Sequence, residues 1–89
     1  MIVAMTVLTS EPHPNADRLT VYVLRASLKS PPIQVTANET NTYNVGDVAA
    51  VCQVGHNCGE FEISARKIRG VLSQGMMLGF TDADPGADV

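Results

Sequence analysis

Arg66, Lys67 and Arg69 fall within four residues of one another, and Ser73, Gln74 and Gly75 follow them. These residue types hold anions. Arginine offers phosphate a planar fork and lysine a point charge, and a hydroxyl adds a neutral donor. The chain has only six Lys and Arg, so half of its positive charge lies at this one place. A phosphate backbone favours such a spot, because binding it releases condensed counterions. In an extended segment Lys67, Arg69 and Ser73 share a face while Ile68 anchors the other. Gly70 and Gly75 would serve either the close approach of a ligand backbone or a bend at a barrel corner. The competing reading is that any nearly neutral small domain shows a few exposed bases.

Other chemistries find less support. His13 and Asp17, in His13-Pro14-Asn15-Ala16-Asp17, could act as a base and its orienter. The segment reads better as a turn, with Pro14 fixing φ and Asn15 or Asp17 capping through its side chain. Catalysis also needs a positioned nucleophile, and no motif supplies one. No catalytic residue and no cofactor are therefore expected. Cys52 and Cys58, with His56 between them and His13 elsewhere, could be arranged around a metal. Their spacing is not that of a zinc knuckle, and two cysteines are too few for a disulfide framework. The expectation is two reduced thiols and no metal site. Met76 and Met77 must point to opposite faces of a strand, so at most one faces the core; an exposed methionine adapts to a ligand surface. Asn38 ends a strand on its polar face, where it could read a base edge or a sugar, or tie down the following loop.

The elements that would position these residues are short. The chain has 89 residues, 45% hydrophobic and 17% charged, which describes one small globular domain with a thin core. The formal charge of −3 argues against a strong general nucleic-acid binder. Asp82, Asp84 and Asp88 lie at the C-terminal end, and without them six acids balance six bases. We therefore divide the chain into a folded domain, 1–81, and an acidic tail, 82–89, expected to be solvated and frayed. The apolar N-terminus has no positive leader and is too short to span a membrane.

Apolar alternation predicts strands at residues 2–8, 19–26 and 33–38, and a fourth at 47–54 that is apolar enough to be central. A short pairing at 61–63 and extended pieces at 68–72 and 76–80 complete the set. No stretch holds a helical period. Short strands separated by Gly and Pro turns indicate an all-β fold, and at this length a five-stranded OB-fold barrel is the economical choice. Closing the barrel also removes exposed sheet edges.

His13-Pro14-Asn15-Ala16-Asp17-Arg18-Leu19, followed by Lys67-Ile68-Arg69-Gly70-Val71-Leu72-Ser73-Gln74-Gly75-Met76, resembles the paired signatures of the tRNA-binding domain family. That domain occurs in endothelial monocyte-activating polypeptide II-like proteins and in stand-alone bacterial tRNA-binding proteins. It also occurs in the C-terminal extension of methionyl-tRNA synthetases and near the N-terminus of the phenylalanyl-tRNA synthetase β subunit. The resemblance implies an OB-fold that grips the outer corner of tRNA by shape and does no chemistry. Carried over, it makes Lys67, Arg69, Ser73 and Met76 the RNA-contacting positions, with Arg66 beside them and Asn38 at the end of strand three. It implies tRNA as partner and a homodimer, and leaves open whether an aminoacyl-tRNA synthetase is served in trans; the cytoplasmic, non-membrane setting is expected from the reduced thiols and the short apolar N-terminus. The alternative on the same fold is a protein-interaction or secretion-chaperone-like module.

Overall fold

A computed structural model describes residues 2–16, 18–38, 42–53 and 65–88. The described residues are all-β and form seven strands: β1 (Ile2–Pro12), β2 (Leu19–Arg25), β3 (Ile33–Asn38), β4 (Val48–Gln53), β5 (Arg66–Ile68), β6 (Val71–Ser73) and β7 (Gly75–Phe80). Five form one antiparallel sheet in the order β3-β2-β1-β4-β7, and β5 with β6 forms a separate hairpin. The curled sheet makes an OB-fold-like half-barrel. The expected pairing at 61–63 lies outside the described residues.

β1, not β4, is the central strand. Its residues 2–6 pair with β4, and residues 6–12 pair with β2. The register shifts between Val7 and Thr9, so Leu8 is an extra residue at the changeover. Such a bulge bends a strand and increases its twist, which lets one long strand curl from one neighbour to the other. β4 is apolar because it too is paired on both edges, with β1 and β7, and buries Ala49, Val51 and Cys52.

The alternating residues of each strand fill the interior. Val3, Met5 and Val7 meet Tyr22 and Leu24, Val35 and Ala37, Ala49 and Val51, and Met77. Tyr43 enters from the connection before β4. Its ring stands edge-on to Tyr22 at 5.5 Å, and its backbone N–H donates to the Tyr22 hydroxyl at 3.0 Å. Methionine parity is as the strand demands: Met77 is buried and Met76 only half so.

Ser73-Gln74-Gly75 closes the open side of the barrel. The Gln34 backbone N–H donates to Gln74 Oε1 at 2.9 Å, and the Gln74 N–H donates to the Gln34 carbonyl at 2.7 Å. Gln34 Nε2 donates to the Leu72 carbonyl at 2.8 Å. The Thr36 N–H donates to Ser73 Oγ at 3.1 Å, and that hydroxyl donates to the Gly75 carbonyl at 3.3 Å. The β3 edge is thus satisfied largely by side chains of the segment leading into β7. At Gly75 a Cβ would come within 2.8 Å of the Cys52 carbonyl oxygen. Of the two uses anticipated for this glycine, close passage of the chain's own backbone is the one observed.

Two expectations are corrected. The acidic tail is docked rather than frayed: Ala4 donates to the Ala87 carbonyl at 2.9 Å, Gly86 donates to the Ala4 carbonyl at 2.7 Å, and Val3 bridges Asp88. The start of β1 needs backbone partners on the side where β2 no longer pairs, and the tail supplies them. Asp82, Asp84 and Asp88 nevertheless keep their side chains exposed. Cys52 is disulfide-bonded rather than reduced. Cys58 lies outside the described residues.

Candidate nucleic-acid interface

The β5–β6 hairpin carries the cationic segment. Its strands pair Arg66 with Ser73, Lys67 with Leu72 and Ile68 with Val71, leaving Arg69 and Gly70 as a two-residue loop. Both have positive φ, 51° at Arg69 and 88° at Gly70. That sign pattern belongs to a type I′ turn, whose twist matches that of the flanking strands. Glycine adopts such a φ without penalty; an arginine does so at a cost of about 1–2 kcal/mol.

The turn overturns the single extended strand expected at 68–72, and with it the shared face of Lys67, Arg69 and Ser73. A two-residue reversal puts Lys67 on the face of Leu72, both exposed. Ser73 falls on the opposite face and is 3% exposed. Its hydroxyl is committed to Thr36 and Gly75, as above, so it holds the hairpin to β3.

Two residues of the loop after β1 hold the tip. The Asn15 N–H donates to His13 Nδ1 at 2.9 Å, which places the imidazole hydrogen on Nε2. Nε2 then donates to the Ile68 carbonyl at 2.8 Å. Asn15 Nδ2 donates to the Arg69 carbonyl at 3.0 Å. His13 is buried. The loop is closed by its own backbone, His13 N–H to Leu19 O at 3.0 Å and Leu19 N–H to Ala16 O at 3.3 Å. The two sequence signatures, more than fifty residues apart, are therefore a clamp and the hairpin it grips. Asp17 lies outside the described residues.

Lys67 and Arg69 both project into solvent. Among the described residues, no acidic side chain pairs with either. The Arg66 backbone pairs with Ser73; its side chain lies outside the described set. Asn38 is exposed at the end of β3 and pairs in register with Leu19. Leu19 in turn lines an open cleft of about 450 Å³ with Asn15, Ala16, Arg18 and Arg69. Asn38 thereby stands at the same end of the barrel as the Arg69 tip. Met76 lies on β7 opposite Cys52, half-buried, beyond the Gln74 corner. Arg18 was missed by sequence reasoning, which treated the whole loop as structural. Its position directly after the turn that grips the hairpin was the available signal.

The OB-fold-like barrel thus presents Lys67 and Arg69 to solvent on a hairpin clamped by His13 and Asn15. The chain belongs to the family described as "Putative tRNA binding domain", which matches residues 1–89. It is a tRNA-binding module by family. The chain is 40% identical over 88 residues to the phenylalanine–tRNA ligase beta subunit of Anaeromyxobacter dehalogenans, covering 98% of this chain and 11% of that protein. It is 39% identical over 84 residues to the beta subunit of Acinetobacter baylyi, covering 93% and 10%. With that of Legionella pneumophila it shares 33% over 82 residues, covering 91% and 10%. The chain spans about a tenth of the length of these relatives. No helix among the described residues is long and apolar enough to cross a membrane.

Proposed function

We propose that this chain is a non-catalytic module that holds tRNA by shape and by phosphate contacts from Lys67 and Arg69, with Arg66, Asn38 and Met76 flanking them. Ser73 serves that surface from inside, as a fastener. The observation that carries the reading is the clamped hairpin: Asn15 holds the carbonyl of Arg69, the tip residue in a costly backbone conformation, and His13 holds that of Ile68 before it, while Lys67 and Arg69 stay in solvent. Rigid placement of charge suits a ligand recognised by contour. Few aromatic side chains are available for stacking bases, which favours recognition of the backbone over recognition of unpaired bases.

The relatives are phenylalanine–tRNA ligase beta subunits, so the module's setting is the aminoacylation of tRNA, in the cytoplasm with the translation machinery. That placement rests on the relatives and not on the state of the cysteines.

With about three phosphates contacted, log affinity for bulk tRNA should fall with log salt at a slope of about −2 to −3. Lys67→Ala with Arg69→Ala should bring the slope close to −1 and leave the fold intact. A double variant that binds with the parent's affinity and slope contradicts the proposal.

One observation favours a second reading, a protein-contacting module. Val45, Leu78 and Phe80 are 64%, 40% and 67% exposed, and Phe80 leans on Tyr43 at 4.6 Å. This reading predicts salt-tolerant binding of unfolded polypeptide and no affinity for tRNA at low salt.

A further inference from the structure

We propose that the cleft bounded by Asn15, Ala16, Arg18, Leu19 and Arg69 is a binding site for one phosphodiester group of a nucleic acid, and that Arg18 is a binding residue of equal standing with Arg69. This rests on the tRNA-binding reading and adds to it a place and a residue.

Two of the chain's six basic side chains border this one cleft, and both are exposed. They come from distant parts of the sequence, Arg18 from the loop after β1 and Arg69 from the hairpin tip. The walls are tied to each other by the bond from Asn15 Nδ2 to the Arg69 carbonyl. The loop that carries Arg18 is closed on itself by the bonds between His13 and Leu19 and between Leu19 and Ala16. The backbones bearing the two guanidinium groups are therefore set in place before a ligand arrives, which lowers the ordering cost of binding.

The lining specifies the ligand. Two arginines lining one cleft match a group with several anionic or acceptor oxygens, and arginine's planar fork suits phosphate. Ala16 and Leu19 add apolar lining suited to the carbon face of a ribose. Among the described lining residues there is no ring, which favours contact with the backbone over stacking of a base. Asn38, paired opposite Leu19, brings an amide close to the rim.

The test compares Arg18→Ala with Lys29→Ala. Lys29 lies in the exposed connection between β2 and β3, beyond the far end of β2 from Leu19, so both variants lose the same charge. Bulk tRNA is titrated at several salt concentrations, with inorganic phosphate and a nucleoside monophosphate as separate probes. Arg18→Ala should weaken tRNA binding several-fold at low salt and reduce the magnitude of the salt slope by about 1. Lys29→Ala should leave the slope at the parent value, and Arg18→Lys should recover it. If Arg18→Ala and Lys29→Ala behave alike while the Lys67→Ala, Arg69→Ala double variant still loses binding, the cleft is overturned and the hairpin reading stands. If the parent fails to bind tRNA, both fall. Monophosphate or inorganic phosphate competing at concentrations comparable to tRNA phosphate would overturn the assignment to a nucleic-acid strand.

Discussion

The imidazole of His13 donates from Nε2 to the carbonyl oxygen of Ile68 at 2.8 Å, across a sequence separation of 55 residues. The other ring nitrogen is already occupied as an acceptor for the Asn15 N–H. One buried side chain thus reads both the loop after β1 and the last strand residue before the hairpin turn. A histidine that invites a catalytic interpretation in sequence is a structural strut here, one bond removed from the cationic tip.

His13→Ala would leave the Asn15 N–H and the Ile68 carbonyl without this partner. Both groups are only partly buried, so water recovers part of each bond, and chemical denaturation should register a loss of about 1 kcal/mol per bond. Long-range proton–nitrogen correlation spectra at neutral pH should find the hydrogen on Nε2. A ring protonated only at Nδ1 contradicts the clamp.

Arg69 supplies charge and endures strain, and the two roles can be separated. Asparagine tolerates positive φ better than arginine does and carries no charge. Arg69→Asn should therefore keep stability at the parent level or raise it by up to about 1 kcal/mol, while tRNA binding weakens. A variant that loses stability and affinity together would mean that the arginine side chain supports the fold.

Ser73 should behave in the opposite sense. Ser73→Ala strands the Thr36 N–H on β3, for a cost of about 1–3 kcal/mol. The folded variant should bind tRNA with the parent's salt slope, since no phosphate contact has been removed. A slope reduced by about one contact would return the hydroxyl to the interface.

These cases show what could be read from residues alone. Strand positions were legible because Val3, Met5 and Val7, and Val35 and Ala37, alternate without interruption. The central place of β1 was not, because the Leu8 bulge that lets it serve two neighbours leaves no compositional mark. The cations at Lys67 and Arg69 were visible as charge. Their presentation was not, because a two-residue turn was hidden in what read as one extended piece, and an arginine in left-handed backbone is an unusual occupant of it. That turn alone sends Ser73 inward. Arg18 escaped notice because its partner across the cleft is 51 residues away. The tail at 82–89 read as solvated from its acids, yet its backbone, not its side chains, decides where it lies.

Tyr43 offers a test of the core. Its burial, and then the neighbouring Tyr22 phenol, push its hydroxyl above the ordinary value of 10.0. The folded chain keeps this proton at a pH where the unfolded chain has released it. The resulting contribution to stability is fully present below the ordinary value and is lost as pH rises through the elevated one. Stability should decline on the alkaline side, and Tyr43→Phe should lessen the decline. Phenolate absorbance that Tyr43→Phe removes at the ordinary value of 10.0, with no change in stability, would contradict this.

The cationic hairpin as the seat of RNA binding is tested most directly by following backbone amide resonances while tRNA is added at low salt. The account predicts that the largest changes fall on Lys67 to Gly70, with Asn15, Ala16, Arg18, Leu19 and Asn38 close behind, and that they vanish as salt is raised. Changes centred on Val45, Leu78 and Phe80 instead, persisting at high salt, would contradict it.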